Sequence, residues 1–445
     1  MSLDKARNQD PPLTDPAQLV RSFRDAERPS AQHKVGLEHE KLLFGPDGLP
    51  VPYEGAHGIG QVLESLTAKG YLPFRESPGL PAIALELGKL TVSLEPGGQL
   101  ELSGTAVGTA REAHAENLRH LEDLKQVTGP MGLRIVTLGY RPFGQLAQMP
   151  WMPKSRYRVM RETLGSRGRL ALDMMLMTST GQVSLDWSGE EDCARKVTAV
   201  ARLTPLMVAL YANSPLAQGK DSGYLSFRSR VWSEVDPARC GYFPEMIDGS
   251  FRYQSYVDWA LAAPMLFLRR AGQYLQPKMT FRQFMAQGFE GHPALEGDWS
   301  DHLSTLFPEV RLKTVLEVRG ADGVSPALTG ALPALWRGLL YDPAALTEAE
   351  ALLPRLGFEA HLDFHDGARR EGLRSRVQGL EVRALALELV RIARRGLQRL
   401  DPQDAPLLDP LEAVAESGRS PAEAVLETWN RTRDPEAVLA TSRIG

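Results

Sequence analysis

Ser93-Leu94-Glu95-Pro96-Gly97-Gly98-Gln99-Leu100-Glu101-Leu102-Ser103-Gly104 sets a glutamate on each side of a Pro-Gly-Gly turn, with apolar residues alternating on both flanks. Such alternation marks strands packed on one face. A connection with an odd number of loop residues puts Glu95 and Glu101 on the same face, whereas a two-residue loop would point them apart. The odd loop is the expectation here. The same pattern occurs upstream in Val35-Gly36-Leu37-Glu38-His39-Glu40-Lys41, where period-two geometry aims Glu38 and Glu40 together. Carboxylates crowded on one sheet face need cations.

Working outward, residues 82–87 and 90–95 flank Gly88-Lys89, a Gly-first pair suited to a type II′ hairpin. A strand is expected at 34–44 and a helix at 59–69, where Ile59, Val62, Leu63 and Leu66 recur at helical spacing. A polar helix at 111–127 stops at Gly129-Pro130, and a strand follows at 133–140. Residues 174–187 read as one strand, polar at Thr178, Thr180, Gln182, Ser184 and Asp186 and apolar between. Ser188 and Glu191 suggest a capping box opening a helix to Asn213. Helices are expected at 253–270, 280–287 and 298–307, and a last strand at 311–320 with Arg311, Lys313, Glu317 and Arg319 on one side. Gly320-Ala321-Asp322-Gly323 reads as a tight turn rather than a phosphate loop. Beyond Pro326 the chain is mostly helical: 328–340, 348–356, 380–400 and a final helix capped at Ser420. The fold class is α+β, an antiparallel sheet with ligands on its inner face and helices behind it.

The chain has 445 residues, and no long Gly/Ser or Pro tract divides it. Residues 1–33 form a polar segment, and 34–445 are expected to be one catalytic domain. A formal net charge of −4 offers no general attraction to nucleic acid or an anionic membrane. Small-molecule chemistry is favoured. The polar, acid-containing N-terminal segment has no apolar core of a signal peptide, so the cytoplasm is the expected location. Cys193 and Cys240 lie far apart without a CxxC spacing; neither a disulfide framework nor a zinc site is indicated, and both are expected to be inert.

Glu38, Glu40, Glu95, Glu101 and Glu317 would suit two or three hard divalent ions, because Mg²⁺ prefers oxygen ligands and bridges carboxylates to phosphates. A lone Glu-x-Glu on a strand is more often a solvated face; acids on several strands of one sheet outweigh that reading. Arginine matches carboxylate and phosphate oxygens with a planar fork. Arg156, beside Pro153-Lys154, and Arg228, in the Ser- and Gly-rich loop 222–229, are the candidate anion clamps, whereas Arg158 and Arg161 fall at helical spacing and read as surface charge. His39 alternates with the two acids and so belongs to the packed face as a structural histidine.

These motifs, together with Met152-Pro153-Lys154-Ser155-Arg156-Tyr157, Leu172-Asp173-Met174-Met175-Leu176, Thr280-Phe281-Arg282-Gln283-Phe284, Phe307-Pro308-Glu309-Val310-Arg311-Leu312-Lys313 and Arg319-Gly320-Ala321-Asp322-Gly323, resemble the plant and proteobacterial type of glutamate-cysteine ligase. The similarity runs in order from about Gly36 to about Asn430. It implies a glutamine-synthetase-like core, a curved antiparallel sheet forming a funnel. It also implies an ATP-dependent ligase that joins the γ-carboxylate of L-glutamate to the amine of L-cysteine through a γ-glutamyl phosphate, for glutathione biosynthesis. Carried over by position, Glu38, Glu40, Glu95, Glu101 and Glu317 resemble metal ligands, with Gln182 a neutral one. Arg156 and Arg228 resemble the glutamate grip, Arg228 and Arg319 catalytic groups, and Lys313 and Arg319 the nucleotide side. The implied partners are small molecules, with neither nucleic acid nor membrane, in a monomer or homodimer. Relatives usually carry a β-branched residue at Gly181 and an asparagine at Ser184, which leaves open a different acceptor amine in the same chemistry. His114 stands where plant members have a regulatory cysteine, so no thiol switch of that kind is expected.

Overall fold

The computed structural model describes residues 10–444; residues 1–9 of the polar N-terminal segment and residue 445 lie outside the described residues. Its centre is an open ten-stranded sheet. In chain order the strands are β1 (Val35–Phe44), β2 (Leu72–Phe74), β3 (Ala84–Leu87), β4 (Leu90–Leu94), β5 (Leu100–Ser103), β6 (Arg134–Val136) and β7 (Thr180–Leu185), followed by Val310–Leu312, Leu316–Asp322 and Arg443–Ile444. Val310–Leu312 forms one edge, followed by Leu316–Asp322, β7, β1, β5, β4, β3 and finally β2; β6 joins the far end of β1 and pairs with Arg443–Ile444. Every pairing in this sheet is antiparallel.

Two turns fix the register. Leu87 pairs with Leu90 across Gly88-Lys89, and Gly88 takes a φ of +62°, as a two-residue Gly-first turn requires. In the next hairpin Ser93 faces Glu101 and Leu94 faces Leu100, with the Glu95 N–H donating to the Gln99 carbonyl at 2.9 Å. The loop is therefore the three residues Pro96-Gly97-Gly98, and Glu95, Gln99 and Glu101 share a face as the odd loop demands. Gly98 is left-handed at φ +84°, and a Cβ on Gly97 would lie 2.3 Å from the Leu176 carbonyl oxygen. Nothing on the Leu176 side can yield, because the obstacle is backbone. Gly97→Ala is expected to destabilise the fold by roughly 3 kcal/mol and to displace Glu95, read as a lowered urea midpoint together with lost turnover.

Helices cover the outer face. The helix α3 (Ala110–Thr128), opened by a Thr109–Glu112 capping box, and the helix Pro326–Leu340 both pack on β1. The helix α6 (Glu190–Tyr211) packs on Leu316–Asp322. Val183, Leu185, Met207, Leu332 and Trp336 join one core cluster behind the sheet, while α2 (Ile59–Thr67) closes a second with Val92, Leu94, Leu100 and Leu102. The helix α1 (Ala17–Arg24) belongs to the polar N-terminal segment, yet it buries Phe23 against Tyr253 and Tyr256.

Several expected elements change shape. Residues 174–187 are not one strand: Ala171–Met177 is a helix, α5, in which Met174 through Met177 are all buried, and only Thr180–Leu185 is extended. The helix after Trp187 starts at Glu190 behind Gly189, and Ser188 bonds Asp192 rather than Glu191. Residues 253–270 split into a helix, Tyr253–Ala262, and a strand, Leu268–Arg270, because Pro264 cannot continue the helix. Residues 311–320 form a hairpin, Arg311 pairing across from Glu317. The helix Phe358–Glu371 was not anticipated, and Pro435–Ala440 follows the helix expected to be last.

Candidate functional site

The sheet register assembles the site. On the inner face Glu40 of β1 sits opposite Glu101 of β5, Glu38 opposite Gln182 of β7, and Glu317 opposite Ser184. Together with Glu95 at the β4–β5 turn, Glu38, Glu40 and Glu101 line a cavity of about 900 Å³, counting its open mouth. Gln182, Arg156, Arg311, Lys313 and Arg319 line it as well. Of the residues anticipated from sequence, Glu38, Glu40, Glu95, Glu101, Gln182, Arg156, Lys313 and Arg319 thus come together in one cavity. Arg228 lines a smaller adjoining cleft with Ser229, Trp232, Glu309 and Arg319.

The acids are held in two ways. Glu40 accepts from the Thr180 N–H at 3.0 Å, and Glu101 accepts from the Ser93 hydroxyl at 2.9 Å. Burial pushes the Glu40 carboxyl well above the usual range, and the like charges of Glu101 and Glu95 push it further. Burial and Glu101 also raise Glu38. Among the described residues, no hydrogen bond or ion pair reaches the carboxyls of Glu38 and Glu95. Such a group of carboxylate oxygens, buried at Glu40 and Glu101 and half-buried at Glu38 and Glu95, matches what a hard divalent ion seeks. Among the described residues no three Asp, Glu, His or Cys side chains gather closely enough to hold an ion by themselves. That spread suits Mg²⁺, which commonly takes one or two carboxylates and completes its octahedron with substrate phosphate and water.

Glu317 differs. Its carboxylate pairs with Arg311 at 2.5 Å, Lys313 at 2.6 Å and Arg319 at 3.5 Å, and it does not line the cavity. Burial alone would raise its pKa; the three cations overcome that and hold it below the usual carboxylate range. Arg319 also donates to the Gln182 side-chain oxygen at 2.5 Å, so the expected neutral ligand and the phosphate-side arginine are joined.

The two clamp arginines sit on helices, not loops. Arg156 occupies the first turn of α4 (Ser155–Leu164), its guanidinium 5.6 Å from the Tyr157 ring. Arg228 lies on α7 (Phe227–Trp232) and donates from Nη2 to the Arg319 carbonyl at 2.9 Å. The guanidinium carbons of Arg228 and Arg319 lie 5.9 and 5.6 Å from the Trp232 ring. Trp232 was not foreseen; it follows Arg228 by one helical turn, a spacing meaningful only once the segment is known to be helical. Gln99 could have been found, since it falls on the face of Glu95 and Glu101 by period two; its amide donates to the Met175 and Thr178 carbonyls and ties the turn to α5. Arg141, buried and far away in sequence, donates to the Gly97 carbonyl at 3.1 Å.

On the outer face, His39 is fully buried and bonds Asn117 at 3.0 Å, with its pKa lowered to about 3 by burial and neighbouring Lys41. Gly181 also points outward: a Cβ there would meet the Leu332 side chain at 2.7 Å. Its departure from the family pattern therefore concerns helix packing rather than an acceptor pocket. Cys193 and Cys240 are free and buried, and burial pushes the Cys240 thiol up to about 12. Neither is expected to react with a thiol reagent in the native protein; both should become titratable only on unfolding, and turnover should be insensitive to dithiothreitol.

Residues 34–441 match the glutamate-cysteine ligase family 2. The chain is 39% identical over 418 residues to glutamate–cysteine ligase B, chloroplastic, of Oryza sativa subsp. japonica, covering 92% of this chain and 83% of that protein. Against the chloroplastic glutamate–cysteine ligase of Arabidopsis thaliana it is 40% identical over 416 residues, covering 90% and 77%. The crystal structure of a glutamate–cysteine ligase from Francisella tularensis in complex with AMP shares its fold with a TM-score of 0.58 at 13% identity, over 92% of this chain and 87% of that one.

Proposed function

The chain belongs to the glutamate-cysteine ligase family, and we propose that the acidic cavity bounded by β1, β5 and β7 is where its three substrates meet. The protein is an ATP-dependent ligase that joins the γ-carboxylate of L-glutamate to the amine of L-cysteine, giving γ-glutamylcysteine for glutathione biosynthesis. The observation that carries the site is the convergence of four glutamates with Arg156, Lys313 and Arg319 on one cavity.

The chemistry divides into two steps. A γ-carboxylate oxygen of glutamate bonds to the γ-phosphorus of ATP as ADP leaves, and the amine of cysteine then bonds to the acyl carbon as phosphate leaves and the nitrogen gives up a proton. Arg156 and Arg228 hold the glutamate, placing its γ-carboxylate toward the nucleotide. Arg319, braced by Gln182 and Glu317, stands ready for the charge that spreads over the transferring phosphoryl oxygens. Lys313 faces the nucleotide phosphates from the hairpin rim. Glu38, Glu40, Glu95 and Glu101 would hold Mg²⁺, with Gln182 beside them and Glu317 behind, for two or three ions in all. Such ions supply charge neutralisation and alignment of the phosphates. Positioning and neutralisation suffice; no covalent enzyme intermediate is needed.

Cysteine is favoured over another acceptor amine, because Gly181 faces Leu332 and Ser184, though on the inner face opposite Glu317, is not among the residues lining the cavity. The two free thiols support a reducing compartment such as the cytoplasm. No described helix is long and apolar enough to cross a membrane. Incubation with ATP, Mg²⁺, L-glutamate and L-cysteine is expected to release ADP and one equivalent of γ-glutamylcysteine by mass spectrometry. Equal turnover with a panel of other amines would replace cysteine as the acceptor, and no ADP release at all would refute the ligase.

A further inference from the structure

The segment Arg319-Gly320-Ala321-Asp322-Gly323 is not the tight turn its glycines suggest. It is the end of a strand, with an irregular register against β7 between Val318 and Ala321, and it carries a carboxylate into the interior. Asp322 is 1% exposed and makes no ion pair among the described residues. Gly139 lies so close that a Cβ on it would come within 2.5 Å of the Asp322 carboxyl carbon. A buried carboxylate without a counter-ion is costly unless hydrogen bonds satisfy it. Three do: the Asn213 N–H at 2.8 Å and the Ser214 hydroxyl at 2.6 Å reach Oδ2, and the Ser226 hydroxyl at 2.7 Å reaches Oδ1.

Both serines hand the interaction on. Ser214 Oγ accepts from the Arg228 N–H at 3.0 Å, and Ser226 Oγ, at the start of α7, accepts from the Ser229 N–H at 3.2 Å. An ionised carboxylate can only accept, so each hydroxyl hydrogen must point at Asp322, leaving the serine lone pairs to face the helix N–H groups. The polarity of the whole relay is thus fixed from one side chain. Its output is the backbone position of the turn that bears Arg228, and with it Trp232, whose ring lies between 5 and 6 Å from the guanidinium carbons of both Arg228 and Arg319. A second brace holds the same helix through Ser229 Oγ and His365 Nε2 at 3.1 Å, with the other ring nitrogen 3.1 Å from the Tyr242 hydroxyl.

We propose that Asp322 is a positioning residue for substrate glutamate, setting Arg228 through the Ser214 and Ser226 hydroxyls. The proposal rests on Arg228 being part of the glutamate grip. An asparagine in its place keeps the shape but offers one acceptor oxygen where the carboxylate offers two, and its NH₂ would donate toward a hydroxyl that already must accept from α7. Losing a charge-assisted bond, with a shift of the reacting group, is expected to matter about tenfold or more.

Asp322→Asn, Arg228→Lys and the double variant test it by steady-state kinetics, with equilibrium binding of L-glutamate measured calorimetrically and thermal midpoints recorded. The expected result for Asp322→Asn is a rise of about tenfold or more in KM for L-glutamate and in its Kd, with KM for ATP changed less than about threefold. In the Arg228→Lys background Asp322→Asn should then add little, because both act through one guanidinium. Ser214→Ala and Ser226→Ala, which each cut one arm and spare the buried acid, should shift glutamate binding in the same direction by a smaller factor. Multiplicative effects in the double variant, or parallel rises for ATP and glutamate in the serine variants, would overturn the proposal and leave Asp322 a support of the fold. An Arg228→Lys protein with unchanged glutamate binding would instead remove Arg228 from the grip, and the proposal with it, while ADP release continued to report the ligase.

Discussion

Arg228→Ala is expected to lower kcat/KM for L-glutamate by about 10²–10³, roughly 3–4 kcal/mol of lost transition-state stabilisation. The size follows from the side chain's setting. Arg228 is 3% exposed, its Nε has no hydrogen-bond partner among the described residues, and one Nη donates to the Arg319 carbonyl. A buried guanidinium with donors left over is poised for an anionic group of the substrate, and a carboxylate accepts from it in a strong, bidentate fashion. Removal leaves that carboxylate facing Trp232 and the void where the guanidinium stood. Arg228→Lys should recover only part of the loss, because a point charge cannot reproduce the fork. The measurement is initial rate against glutamate concentration at saturating ATP and cysteine; parent-like values would take Arg228 out of the substrate site.

Glu95→Ala is the second large effect, expected to cut kcat by about a hundredfold or more and to raise the Mg²⁺ concentration needed for half-maximal turnover. Glu95 is half-buried beside the turn rather than in the packed core, and among the described residues its carboxyl makes no hydrogen bond or ion pair, so the sheet should survive the change. Circular dichroism and the thermal midpoint should stay near the parent's while the activity falls. Glu317 provides the contrast. Because Arg311, Lys313 and Arg319 all depend on it, its replacement by alanine should lower stability as well as activity, leaving buried cations without compensation. A Glu95→Ala protein that turns over normally at low Mg²⁺ would dissociate this acid from the metal-holding set.

The acidic face was legible because period two is a strong constraint. Once residues 34–44 and 90–103 are strands, Glu38 and Glu40 must share a side, and the odd length of Pro96-Gly97-Gly98 forces Glu95 and Glu101 to do so too. Even the hairpin mistaken for one strand kept part of the answer: Arg311 sits across from Glu317 rather than six residues along the same strand, yet both lie on the inner face, Arg311 lining the cavity and Glu317 behind it. The arginine loops were misjudged because Ser222 to Ser229 is rich in turn formers, while the few residues of α7 gain their helix from tertiary bonds to Ser214 and Asp322 that no local signal carries. The run Met174-Met175-Leu176-Met177 failed for a similar reason, since a run that is buried all round has no period to read.

By itself, then, the sequence determined which side chains point the same way, where the Pro-Gly-Gly turn closes, and the motifs that mark the ligase family. All of these depend on neighbours in the chain. Only the tertiary structure decided that Glu317 is spent on three cations, that Gly181 turns its back on the cavity, and that Asp322 governs α7 from a strand almost a hundred residues later. Such contacts join distant segments, and their energies come from burial and charge pairing that local pattern does not encode.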